Sequence, residues 1–161
     1  SLNMVSVVET LNSFNIPRVA QLSQRSNQFN LRTIRYSEEE LIKISVSKNY
    51  LSFIFSLNDK FGEHGIICTV ILNKKNNKTL FIDTWIMSCR VLKRGMENFV
   101  LNHLIEFSMK NKYEVIIGEY LQTSKNGLVK NHYSDLGFKK QDDHWVLLTK
   151  SHDKLNTYIK N

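Results

Sequence analysis

Residues 86–104 read IMSCRVLKRGMENFVLNHL. An apolar run ends at Cys89, a short basic loop with one glycine follows, and a helix-like pattern begins at Gly95. From there Met96, Phe99, Val100, Leu104 and Phe107 recur every three or four residues, which predicts an amphipathic helix over 95–110. A strand, a basic glycine loop and a helix together suit a phosphate. The first amides of a helix lack partners and carry about half a positive charge, and Gly95 lets a ligand come close to the backbone. Arg90, Val91, Lys93, Arg94, Gly95 and Met96 are therefore the loop's candidate anion-holding residues. Glu97 puts a carboxylate in the same first turn. It favours the helix dipole by ~0.3–1 kcal/mol, but a carboxylate about 4 Å from a phosphate costs ~4 kcal/mol at an effective dielectric of about 20. If Glu97 faces the cradle, a pyrophosphate is disfavoured and a singly phosphorylated group is the better fit.

The surrounding elements frame this stretch. Residues 4–9 alternate like a strand. Pro17 suits a first helical position, and Ser37 with Glu40 forms a capping-box pattern at the start of a second helix. Three strand-like runs follow at 50–57, 66–73 and 79–89, joined by turn-like NDKFGEHG and KKNNK. After the helix come a strand over 113–121, a helix over 126–137 stopped by Gly137, a short strand at FKKQ and a last strand from His144. The order β-α-α-β-β-β-α-β-α-β predicts a mixed α/β protein, antiparallel in its first half, with a central sheet flanked by helices.

At 161 residues, 42% of them hydrophobic and only one a proline, the chain is expected to fold as one domain over 1–150 with a polar tail, 151–161. It has no apolar run of membrane-spanning length and no signal-peptide pattern, and its first residue is not Met, as in an excised domain. Cys68 and Cys89 form neither a disulfide framework nor, with the five histidines, a zinc pattern, so no metal is expected and a reducing cytoplasm is. The net charge of +7 favours an acidic partner. No nucleic-acid motif is present.

The order of elements resembles the GNAT (acyl-CoA N-acyltransferase) fold. GNAT proteins often carry an asparagine, then a tyrosine seven positions on, then Gly-Phe four further on, and Asn126, Tyr133, Gly137 and Phe138 keep that register. The resemblance places Asn126 with the coenzyme A-holding residues and makes Tyr133 the candidate general acid for a leaving thiolate, against a simple packing role. In the usual Q/R-x-x-G-x-G/A loop the amides hold the pyrophosphate of coenzyme A; here Leu92 and Glu97 depart from it. More closely, RVAQLSQRSNQFNLRTIRYSEEEL (18–41), DKFGEHGII (59–67), SCRVLKRGMENFVLNHL (88–104) and TSKNGLVKNHYSDLGF (123–138) resemble the C-terminal domain of FkbH-like proteins. These proteins join it to an N-terminal HAD-type phosphatase domain, whose D-x-D motif this chain lacks. The resemblance implies transfer of a glyceryl-type acyl unit to an acyl carrier protein, with the carrier's phosphopantetheine arm or coenzyme A as the thiol.

Cys89 fits that chemistry. A thiolate beside cations and a helix start is activated, and it would take the acyl group as a thioester and pass it on. His64 and Asp59 in the NDKFGEHG turn and Glu119 late in the fifth strand-like run are further candidates: His64 and Glu119 for proton transfer, Asp59 for substrate. The amides of Gln24, Asn27, Gln28 and Asn30 either recognise a hydroxylated acyl unit or simply tie down their own loop. The alternatives are an acetyl-CoA-dependent N-acetyltransferase and a non-catalytic module that docks the carrier.

Overall fold

The computed structural model describes residues 5–59, 62–88, 91, 95–155, 157, 159 and 160, with the side chains of 59 and 62–64 left aside. The elements are β1 (Val5–Glu9), α1 (Ile16–Arg25), α2 (Glu38–Val46), β2 (Tyr50–Asp59), β3 (Gly62–Lys74), β4 (Thr79–Met87), α3 (Met96–Lys110), β5 (Val115–Gly118), α4 (His132–Asp135), β6 (Lys139–Gln141) and β7 (His144–Leu148). One seven-stranded sheet runs β1-β2-β3-β4-β5-β7-β6. Its first half is antiparallel, as the sequence predicts, and β4 pairs parallel with β5.

Local chemistry explains most of these elements. Pro17 lies in the first turn of α1. The capping box at α2 is present: Glu40 N donates to Ser37 Oγ at 3.1 Å and Ser37 N donates to Glu40 Oε1 at 3.1 Å. Alternation along β2 sends Phe53, Phe55 and Leu57 to one face and Ile54 to the other. The first face packs on α3 and α4, and the second, with Ile71, on Val19 and Ala20 of α1 and Leu41 and Ile44 of α2.

Three expectations change. The turn NDKFGEHG is mostly strand, since Asp59 pairs with Gly62 and only residues 60 and 61 remain, outside the described residues. The hairpin thus runs past the end of β4, whose Met87 pairs with Cys68. The expected helix over 126–137 is a 3-10 turn, Gly127–Val129, followed by the single turn of α4. Strand β5 stops at Gly118 because the next amides leave the sheet; Leu121 N donates to Leu31 O at 2.8 Å. The polar tail folds back: Ser6 N donates to Lys160 O at 2.7 Å, Ile159 is buried, and Asn102 of α3 bonds both the N–H and the C=O of Leu155.

Gly118 marks where β5 passes the α4 side. A Cβ there would lie 2.5 Å from Tyr133 Cζ and 2.7 and 2.8 Å from its Cε atoms. The ring is buried among Trp85, His132 and Phe138 and has nowhere to retreat. Gly118→Ala is expected to cost about 3 kcal/mol and to lower Tm by roughly 6–12 °C, as read by calorimetry; an unchanged Tm would show that the ring can move.

Candidate functional site

Strands β4 and β5 pair over only three residues, from Thr79↔Val115 to Phe81↔Ile117. Beyond that point β5 pairs only with β7, and β4 continues alone on that side. Strand β4 also carries one extra residue: Ile71 faces Thr84 and Leu72 faces Ile82, which leaves Asp83 in a bulge. The opening that results is filled by the chain itself. Met87 N donates to Phe29 O at 3.2 Å, Asn30 bridges Ile86, and Leu31 O takes the Leu121 amide. Residues 29–31 thus use the free edge of β4.

Arg32 then spans the gap. Its Nε donates to Glu119 Oε1 at 2.9 Å, and one Nη donates to Asp83 O at 2.9 Å and lies 3.4 Å from Asp83 Oδ1. Asp83 Oδ2 accepts from Tyr36 OH at 2.7 Å and Thr84 Oγ1 at 2.8 Å, and Glu119 Oε2 lies 3.3 Å from His144 Nε2. Burial first, and the bonded Asp83 carboxylate second, push the Tyr36 phenol up, which keeps it protonated and donating. Glu119, expected as a base, is thus held between the Arg32 guanidinium and the His144 imidazole. The backbone around this insert is strained: Thr33, a β-branched residue, sits at φ 54° while its amide donates to Asn30 Oδ1 at 2.8 Å.

The amide-rich loop mostly holds itself. Gln24 Nε2 donates to Tyr36 O, Asn30 Nδ2 donates to Ser26 O, and Asn27 Oδ1 accepts from Arg35, whose guanidinium also caps the carbonyls of Ser23, Gln24 and Ser26 at the end of α1. Of the four amides, Asn27 and Gln28 also line a cleft of about 720 Å³. This cleft lies at the carboxyl end of β4, between α1 and the loop after β5, and includes Met87 and Ser88 in its wall. Cys89, the next residue, lies outside the described residues, as do Arg90, Lys93 and Arg94. Asp59 and His64 belong to the β2–β3 hairpin that overhangs this end of β4, and their side chains are not described.

Several of the anion-holding candidates are bonded or packed within the protein. The Val91 amide donates to Ser88 O at 3.2 Å and its side chain is buried, as is that of Met96. Asn126, expected to hold a cofactor, is a fully bonded internal strut. Its Nδ2 donates to Asn30 O at 3.0 Å and Leu121 O at 2.9 Å, and its Oδ1 accepts from Thr123 N at 2.8 Å and Tyr120 OH at 3.1 Å. Gly95 has φ 77°, which suits glycine, but its open side faces the tail: Thr157 Oγ1 donates to Gly95 O at 2.9 Å. Glu97 lines a smaller cleft of about 330 Å³ between α3 and α4, with Asp135 and the His132 ring and, among the described residues, no Lys or Arg.

Tyr133, the expected acid, is buried, and its hydroxyl has no partner among the described residues. Burial pushes its phenol far above the usual tyrosine range. The environment is that of a packing residue. Tyr133→Phe is expected to raise stability by about 1 kcal/mol, since it removes a desolvated hydroxyl, and to leave turnover unchanged. A large loss of turnover at unchanged Tm would return the hydroxyl to the acid role. Cys68, the other thiol, is buried, and burial first, then Glu97, push it up and leave it inert.

This mixed seven-stranded sheet with helices on both faces has solved counterparts. Spermidine N-acetyltransferase of Vibrio cholerae, in complex with CoA and spermine, is 13% identical, with a TM-score of 0.67 over 90% of this chain and 96% of that one. The ribosomal-protein-S18-alanine N-acetyltransferase of Escherichia coli is 16% identical, with a TM-score of 0.64 over 88% and 90%. This chain has the GNAT fold. No family model and no curated protein matches the sequence.

The GNAT fold implies coenzyme A, and residues 89, 90 and 92–94 of the loop that would hold its pyrophosphate lie outside the described residues. The β4 edge in the splay is taken by residues 29–31, Gly95 faces Thr157, and the cleft beside the start of α3 presents two carboxylates. Sequence reading missed Arg32, Asp83, Arg18, Arg25 and Lys125. The lone acid in the apolar run TLFIDTWIM was a usable signal, because a charge at a buried strand position needs a partner. Among the described residues no group of three metal-binding side chains occurs, and no helix is long and apolar enough to cross a membrane.

Proposed function

We infer that this domain transfers an acyl group, of the glyceryl type, to the thiol of an acyl carrier protein, in cooperation with a HAD-type phosphatase domain. The supporting observation is the 720 Å³ cleft at the end of β4, walled by the two residues that precede Cys89 and rimmed by amide side chains. A thiolate at that position attacks the acyl carbonyl of the donor, the donor's leaving group departs, and an acyl thioester forms on Cys89. The carrier thiol then attacks that thioester and Cys89 leaves as thiolate. The excess of cations favours an acidic carrier.

Intact-mass measurement after incubation with a glyceryl thioester donor tests this reading. A hydroxylamine-labile adduct of acyl mass, absent from Cys89→Ala and discharged by holo carrier protein, is the expected result. Release of free coenzyme A from acetyl-CoA with an amine acceptor, and no adduct, would replace it with N-acetyltransfer, the activity that both neighbours' names carry. Neither signal would leave a carrier-docking module. The filled splay and the two carboxylates near α3 disfavour the acetyl-CoA reading.

A further inference from the structure

Two clefts flank Phe29, and the charges on their described lining residues are opposite. Among the described residues, the smaller, beside the start of α3, is lined by Glu97 and Asp135 and by no cation. Among the described residues, the larger is lined by Arg18, Arg25 and Lys125 and by no carboxylate. Arg18 donates to the neutral Gln21 Oε1 at 2.6 Å, and neither Arg25 nor Lys125 has an ion-pair partner among the described residues. Three cations around one concavity repel one another, and an anion placed there relieves that repulsion. Ser26, Asn27 and Ser124 add neutral polar groups to the same wall. Phe29 lines both clefts, and its carbonyl is bonded to the Met87 amide, so the segment stands as a partition between them. The usual place for an anion, the helix start beyond the loop, has Glu97 in its first turn and Thr157 against Gly95.

We propose that the phosphate ester of this domain's substrate is held in the cleft of Arg18, Arg25 and Lys125, at the end of β4, and not at the start of α3. This deepens the acyl-transfer reading and rests on it for the word substrate. Two sources carry the same chemistry: the phosphodiester of a carrier-borne thiol arm, and a phosphate ester on a small acyl donor. Either enters from the basic side and reaches the end of β4 without crossing the partition.

Titration calorimetry at low salt with 4′-phosphopantetheine, pantetheine and glycerol phosphate tests the assignment, with Cys89→Ala as the protein so that no turnover intervenes. At least one phosphorylated probe is expected to bind, and the Arg25→Ala/Lys125→Ala pair to weaken it about tenfold or more, a change of about 1.4 kcal/mol. Glu97→Gln, in the other cleft, is expected to leave that affinity unchanged. Both replaced cations are exposed, so the variant is expected to keep the parent's Tm. Tight 4′-phosphopantetheine with weak pantetheine points to the arm; glycerol phosphate alone points to the donor; either result supports the site. Equal binding of pantetheine and 4′-phosphopantetheine with no glycerol phosphate binding, no binding by any phosphorylated probe, or an unchanged affinity in the double variant overturns it. Because the readout is binding, these results are independent of whether Cys89 carries an acyl group: an adduct with no loss in the double variant sinks the cleft alone, and the reverse sinks the transfer reading alone.

Discussion

Asn126→Ala is expected to lower stability by about 4 kcal/mol. The side chain is fully buried and makes four hydrogen bonds, two as donor to Asn30 O and Leu121 O and two as acceptor from Thr123 N and Tyr120 OH. Truncation leaves four desolvated groups on two separate segments, Asn30 and residues 120–123, each group costing on the order of 1–3 kcal/mol, with partial relief for those near solvent. For a chain of this length the drop in Tm is roughly 8–16 °C. The loss is also expected to be structural in kind. Asn30 and Leu121 flank the segment that fills the splay, so the variant should show faster proteolysis within 26–36 before global unfolding. A Tm within about 2 °C of the parent would mean that water replaces the amide and that the strut is not one.

Acid is expected to unfold the protein through His132. Burial among Phe29, Trp85 and Tyr133 pushes this imidazole down to about 3, against an unfolded value of about 6.5. The folded value is the lower one, so the native state resists the proton that the unfolded chain accepts. The stabilisation is fully present above about pH 6.5 and is lost as pH falls toward 3. It amounts to roughly 4–5 kcal/mol, a large share of the 5–15 kcal/mol typical of a domain. His103 and His152, also held down chiefly by burial, act in the same direction. Tm measured from pH 7 to pH 4 should fall steeply in the parent and less in His132→Phe. A parallel fall in both would show that the carboxylates, not this histidine, set the acid limit.

The two variants probe residues from one block, TSKNGLVKNHYSDLGF, which the sequence singles out by its spacing. The register of Asn126, Tyr133 and Gly137 identifies where the chain turns back onto the sheet, yet says little about what each side chain does there. Asn126 is spent on backbone groups and Tyr133 on packing.

The strand that ends at Met87, the helix that starts at Met96, the capping box of α2 and the element order follow from periodicity and terminal chemistry. These are local properties: an apolar stripe or a side chain that caps its own helix reads the same before folding as after it. What only the tertiary structure decided is where charge and space come together. Arg32 lies fifty-one positions from Asp83 and eighty-seven from Glu119 and still spans both. Arg18 and Arg25 meet Lys125 across one cleft, whereas Glu97 and Asp135 meet across another. The reason is range: hydrophobic period and capping act within a turn or two of chain, but an ion pair or a pocket forms between residues that only the closed sheet and its bulge bring within a few ångströms.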